Sequence, residues 1–265
     1  MHTQGIISDK MNSKIINGYV EYDLVLDGVG LNLNPLIGHS LVLEFNGSSV
    51  CLHCGDRKVF KQGYCFVCTQ KLPQCDLCIL SPEKCHFDRG TCRDESFAKK
   101  HCFIPHLIYL SLTSHVKVGI TRKGNEATRW VDQGAIAGLP VCEVKDRKTA
   151  GIVEVRLKEF FSDKTSWQKM LKGNPETSYQ VLIDKKKLAL DSLKDDLVDV
   201  LETEVTLIDY PVERYPEKVK SYNVDKTPKI EDRLIGIKGQ YLIFEKGVLN
   251  IRKIQGYRVD LRYES

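Results

Sequence analysis

The chain has 265 residues, 28% charged and 42% apolar, with a formal charge of +4. Those proportions exclude a collagen-like repeat and disorder throughout, and at about 150 residues per domain they suggest two domains. No run of about 18 uncharged apolar residues occurs, and the N-terminal MHTQGIISDKMNSK lacks the apolar stretch of a signal peptide, so a cytoplasmic protein with no membrane partner is expected.

Residues 1–48 read as an N-terminal β segment. IINGYVEYDLVL and HSLVLEF alternate or are β-branched, and Asp27-Gly28 and Asn46-Gly47 are turn signals between short strands. Residues 49–105 hold nine of the ten cysteines. Their apolar content is too thin for a core, and without an export signal the Cys-x-x-Cys pairs read as thiolate metal ligands rather than disulfides. Cys51-Leu-His-Cys54-Gly55 and Cys65-Phe-Val-Cys68 are spaced so that four thiolates can converge tetrahedrally on one ion. A second set is expected from Cys75, Cys78, Cys85 and Cys92, with Cys102, His86, His101 and His106 as alternatives. Soft thiolates suit zinc best, although four also suit a single iron or an iron–sulfur cluster; sets closed by four cysteines leave no open coordination position, so two structural zinc ions are expected.

Residues 106–173 form a third segment, and 106–172 is the most basic stretch, at +5. In LIYLSLTSHVKVGIT the even positions are apolar and the odd ones polar, which is period two across a hairpin. A three-residue loop centred on Thr113 would set Tyr109 opposite Lys117, both facing away from the core. A helix opening near Asn125 carries Arg129. A second, around 147 to 161, has an apolar stripe of Ala150, Val153, Leu157, Phe160 and Phe161, with Glu154 on its border. Residues 174–265 form a C-terminal α/β segment. A polar strand is followed by Lys185-Lys186-Lys187 and then by a helix whose stripe is Leu188, Leu190, Leu193, Leu197 and Leu201. GIKGQYLIF, VLNIRKI and GYRVDLRY close the chain as a β meander with a turn at Glu245-Lys246-Gly247.

Ile108-Tyr109, Lys117-Val118-Gly119-Ile120-Thr121, Arg129 and Glu154 resemble, in order, the motifs of the GIY-YIG nuclease superfamily. The second motif has Lys117 where that superfamily usually has tyrosine, and Asn174 is the candidate for its late asparagine. The resemblance implies a nuclease in which Tyr109 activates a water, Arg129 steadies the phosphate and Glu154 holds one Mg2+ or Mn2+. Lys117 would bind phosphate or take part in proton transfer, and Arg122, Lys123, Arg147 and Lys148 would add phosphate contacts. CLHCG, QGYCFVC, LPQCDLC, GTCR and RWVDQGA are similar to an uncharacterised prokaryotic family that couples zinc knuckles to this segment. The expected fold is therefore α+β: a zinc-knuckle insert, a GIY-YIG-like hairpin plus helices, and flanking antiparallel β segments. The expected function is metal-dependent phosphodiester hydrolysis on DNA or RNA. The alternative is a non-catalytic nucleic-acid-binding or adaptor protein on a degenerate version of the same fold.

Overall fold

A computed structural model describes residues 2–162, 164–173, 175, 178–193 and 198–263. In chain order the elements are β1 (His2–Ile6), β2 (Asn12–Ile16), β3 (Tyr19–Leu26), β4 (Val29–Asn32), β5 (Ser40–Ser49), α1 (Phe66–Lys71), α2 (Leu77–Leu80), α3 (Glu95–His101), β6 (His106–Leu112), β7 (Val116–Arg122), α4 (Glu126–Asp132), β8 (Ala137–Val144), α5 (Arg147–Leu157), α6 (Trp167–Leu171), α7 (Val181–Ser192), β9 (Asp199–Val200), β10 (Thr206–Leu207), β11 (Lys229–Lys238), β12 (Tyr241–Phe244), β13 (Val248–Asn250) and β14 (Tyr257–Tyr263). The fold is α+β with antiparallel sheets. Among the described residues no helix is long and apolar enough to cross a membrane. Met1–Thr69, Leu171–Gly173 and Asp209–Ser265 make one compact unit, and Gln70–Met170 with Asn174–Ile208 makes the other. The cysteine-rich stretch is thus divided, Cys51 to Cys68 in the first unit and Cys75 to Cys102 in the second.

The first unit has a six-stranded sheet in the order β1-β14-β5-β11-β12-β13 and a three-stranded one, β2-β3-β4. Two-residue turns at Asn17-Gly18 and Asp27-Gly28 close the small sheet. All four residues have positive φ (52°, 83°, 48° and 82°), as the twist of a tight hairpin requires. Asn46-Gly47 does not end a strand as expected. It lies inside β5, where the register to β14 shifts between Tyr257 and Val259. The φ of +72° at Gly47 is absorbed as a local irregularity in the strand. The C-terminal strands form as expected from β11 to β13. The last one, β14, leaves that run and lies between β1 and β5, burying Val259 and Leu261.

The second unit is built on a sheet ordered β10-β8-β6-β7, with β9 also on β8. Ile108, Leu110, Leu112, Val118 and Ile120 pack with Ala150, Val153, Leu157 and Phe161 and with Leu182 and Ala189 of α7. The stripe on α5 is the expected one except at Phe160, which is exposed. Asp146 caps α5 by accepting the Thr149 amide at 2.8 Å.

Three expectations are corrected here. β8 stands between the two helices where no strand was read. Pro140 falls at its register irregularity and Gly138 interrupts its apolar run, so both masked the strand signal. The helix expected over 188–201 runs over Val181–Ser192 instead, with Lys185 to Lys187 inside it, and Asp199–Val200 pairs with β8. Leu182 and Ala189 bury its inner face; Leu197 lies outside the described residues, as does Asn174. Finally, the β6–β7 turn is centred on Ser114, not Thr113, and the Thr113 amide donates to the His115 carbonyl at 3.1 Å. Tyr109 therefore faces Gly119, and Lys117 faces Ser111.

Candidate functional site

In the first unit, the chain after β5 folds back on itself so that Cys51, Cys54, Cys65 and Cys68 bring their sulfurs within 4.8 Å of one another. The Cys51 amide donates to the Arg57 carbonyl, the Leu52 amide to Gly63, and the Gly55 amide to Cys51, each at 2.8 Å. Gly55 holds φ at +66° with open space around its α-carbon, so backbone conformation rather than crowding requires glycine there. The Cys54 and Cys65 sulfurs are 4.0 Å apart. That is close to the ~3.8 Å edge of a tetrahedron with metal–sulfur bonds of about 2.3 Å. Burial pushes the Cys51 thiol up, but amides of Cys54, Cys65 and His53 outweigh it and bring it down to about 6. Burial and the neighbouring thiols push Cys68 up to about 12. Four sulfurs this close, three of them buried, can hold one tetrahedral ion.

In the second unit, Asp76, Cys78 and His86 also bring ligand atoms within 4.8 Å of one another. Sequence reasoning passed over Asp76, although it sits inside the knuckle between Cys75 and Cys78. It is buried, accepts from Arg93 Nε at 3.0 Å and faces His86 Nε2 at 3.3 Å. His101 Nδ1 lies 2.8 Å from Arg122 Nη1, and His106 turns Nδ1 to the Ile104 carbonyl at 2.7 Å.

The third cluster is on the sheet of the second unit. Tyr109, on the central strand β6, is fully buried rather than facing solvent. Its ring lies across Gly119 of β7, where a Cβ would stand 2.5 Å from the phenol oxygen and 2.6 Å from Cζ. Trp130 meets the same ring edge-on at 6.0 Å, and itself lies over Gly138, where a Cβ would come within 2.3 Å of the indole. Two missing side chains thus make the notches that seat two aromatics. The phenol donates to Gln133 Oε1 at 3.2 Å and hydrogen-bonds Arg129. Burial raises the phenol's pKa; Arg129 and Gln133 oppose that, and Glu154 adds to it, so the group is neutral near pH 7.

Arg129 is hydrogen-bonded to the Tyr109 phenol, and the charges within its reach include those of Asp132 and Glu154. Glu154 is partly exposed at the border of α5 and pairs with Lys158 at 3.2 Å, one turn on. Tyr109 and Arg129 are thus hydrogen-bonded, with Glu154 within electrostatic range of both. Lys117, diagonal to Tyr109 and buried, sends its ammonium to Thr165 Oγ1 at 3.3 Å, and Thr165 in turn donates to Thr113. Gln133 and Thr165 were not read from the sequence; Gln133 lies four residues after Arg129, a spacing that puts both on one face of a helix.

The four auxiliary cations are already engaged. Arg122 meets His101, Lys123 pairs with Glu143 at 2.7 Å, Arg147 donates to the Ile79 carbonyl at 2.7 Å, and Lys148 pairs with Asp88 at 2.6 Å. Lys123 and Lys148 make surface ion pairs, while Arg147 is held against the backbone of Ile79.

Over residues 38–259 the chain matches the model of a family described as a protein of unknown function, DUF2797. The chain belongs to that family. The matched span takes in every cysteine and all three clusters, so they are features of the part of the chain that defines the family match. No curated protein and no solved structure matches the chain.

Proposed function

We propose that this protein acts on nucleic acid as a divalent-metal-dependent phosphodiesterase, with a GIY-YIG-like site on the sheet of its second unit and zinc at Cys51, Cys54, Cys65 and Cys68 as a structural ion. The observation that supports the reading is the hydrogen-bonded pair of Tyr109 on a strand and Arg129 on a helix, with Glu154 of a second helix within electrostatic range of both. Cleaving a phosphodiester needs an oriented water, a cation opposite the developing charge and a positive side chain on the phosphate. Glu154 offers one partly exposed carboxylate, which fits Mg2+ or Mn2+ because such ions keep several waters and take few protein ligands. A bound ion of this kind lowers the pKa of its water and neutralises charge on the phosphate. Arg129, fixed against the phenol, presents the guanidinium to a phosphate oxygen. The neutral Tyr109 phenol is a hydrogen-bonding group that holds Arg129 in place and would orient the attacking water. Lys117, behind Thr165, adds positive potential from the turn end of the hairpin.

The complete burial of Tyr109 favours a second reading, in which the same face binds DNA or RNA without cutting it. The test is cleavage of mixed single-stranded, duplex and transfer-RNA substrates with Mg2+ or Mn2+, comparing wild type with Glu154→Ala. Metal-dependent cleavage lost in the variant supports the nuclease. Binding by both proteins with a steep salt dependence and no cleavage supports the binding protein, and absence of both activities overturns the two readings together.

A further inference from the structure

The second cysteine group carries more than the cluster of Asp76, Cys78 and His86. Cys78, Cys85, Cys92 and Cys102 line one small cavity, together with the rings of Phe87 and Phe103, which meet edge to face at 4.6 Å. Cys75 does not line it. The four thiols come from four separate pieces: α2, two loops and the end of α3. Nothing in their local structure would hold them together. Among the described residues of 70–105, Pro82 and Ala98 alone of the apolar side chains are buried, while Leu77 and Leu80 are 59% and 73% exposed. A segment of about this size with so little buried apolar surface needs another source of stability.

We infer that Cys78, Cys85, Cys92 and Cys102 form a second tetrathiolate zinc site, which clamps the N-terminal half of α5. Asp76 and His86, though their ligand atoms lie within 4.8 Å of the Cys78 sulfur, already have other partners. The Asp76 carboxylate already receives Arg93 and faces His86, and His86 Nδ1 is 2.8 Å from the Thr91 hydroxyl. Of these, Asp76 and Arg93 line the cavity. Arg147 is within electrostatic range of Cys102 and Cys78, and among the described residues its buried Nε–H has no hydrogen-bond partner. A zinc tetrathiolate carries about two negative charges, and a guanidinium N–H beside it satisfies both the donor and the charge.

The clamp follows from the contacts at α5. The Arg147 amide donates to the Cys102 carbonyl at 2.8 Å and its guanidinium to the Ile79 carbonyl at 2.7 Å. One turn on, Gly151 packs so tightly on the loop before Cys85 that a Cβ would stand 2.6 Å from the Glu83 amide nitrogen. Glu154 follows three residues later on the same helix. The metal thereby fixes the helix that carries the carboxylate, whether or not that carboxylate serves catalysis.

Zinc content of the full-length protein, measured by mass spectrometry of the metal after purification in a chelator-washed buffer, tests this. Wild type is expected to hold two equivalents, Cys54→Ser one, Cys102→Ser one and the pair together none, whereas Cys75→Ser, Asp76→Asn and His86→Gln keep two. Loss of an equivalent in Cys75→Ser with retention in Cys102→Ser overturns the ligand set, as does loss in His86→Gln. A single equivalent in wild type that Cys54→Ser abolishes overturns the site. If the Cys102 variant does not fold, X-ray absorption at the zinc edge of the wild type decides the matter. An all-sulfur shell at about 2.3 Å with two equivalents bound upholds the site, and a nitrogen or oxygen contribution refutes it.

Discussion

Gly119→Ala probes the seat of Tyr109 with the smallest possible change. The new methyl would stand 2.5 Å from the phenol oxygen, 2.6 Å from Cζ and 3.0 Å from Cε2. The ring cannot retreat easily, because Trp130 stands at its edge and is itself seated over Gly138. Forcing a methyl into such a packed site costs about 1–3 kcal/mol. Displacing the phenol from Gln133 and Arg129 leaves buried polar groups short of partners, for about 1–3 kcal/mol more. A loss of roughly 2–6 kcal/mol is therefore expected, or a fall in melting temperature of several degrees or more. Calorimetry and urea titration would measure it, together with the Tyr109→Ala variant and the double variant. Once the ring is gone, Gly119→Ala has nothing to strike, so its cost should drop to within about 0.5 kcal/mol of zero and the cycle should show a coupling of about 2 kcal/mol or more. A neutral Gly119→Ala in the wild-type background, or an equal cost in both backgrounds, would refute the seating of Tyr109.

Two further outcomes follow from the first unit. Lys238 is fully buried over the rings of Tyr215 and Tyr210, at 4.9 and 5.3 Å, and burial brings its pKa down to about 7. Below pH 7 both folded and unfolded chains carry the proton and the penalty is complete. Between about 7 and 10.5 the unfolded chain alone holds it, so stability should rise with pH by roughly 3–5 kcal/mol. Lys238→Met should be more stable near neutral pH and lose this slope in denaturant titrations at several pH values; a flat wild-type profile would contradict the burial argument. Cys51→Ser should lose one zinc equivalent and lower the denaturation midpoint, since it removes one of four converging sulfurs. Metal content equal to wild type would count against the first zinc site.

Much of the scaffold could be read from residue patterns, and the gaps have physical causes. Period two placed Tyr109 and Lys117 on the same sheet face because an error of two residues in the hairpin register preserves that parity. It could not locate the turn, which the Thr113–His115 hydrogen bond fixes at Ser114. Nor could it tell that the polar face was buried, since the cover comes from Trp130 and Gln133 on a helix beyond the hairpin. β8 escaped notice because Gly138 and Pro140 are what a strand pattern counts against; Gly138 is there to admit an indole. The first cysteine cluster was plain from spacing, as two short knuckles leave few ways to converge. The ligand set of the second group was not, because Cys85 and Cys92 lie in loops whose paths spacing does not constrain. Asp76 and Gln133 had usable signals, one inside a knuckle and the other one helical turn past Arg129.

The central claim is that Glu154, beside Arg129 and Tyr109, holds the divalent ion for phosphodiester cleavage. Its most direct measurement is the single-turnover cleavage rate of a labelled nucleic-acid strand as Mn2+ is titrated, for zinc-loaded wild type and Glu154→Gln of equal stability. Loss of a metal-dependent contribution of several kcal/mol should slow the variant by roughly two orders of magnitude or more. Equal rates, or cleavage that does not respond to Mn2+, would contradict it.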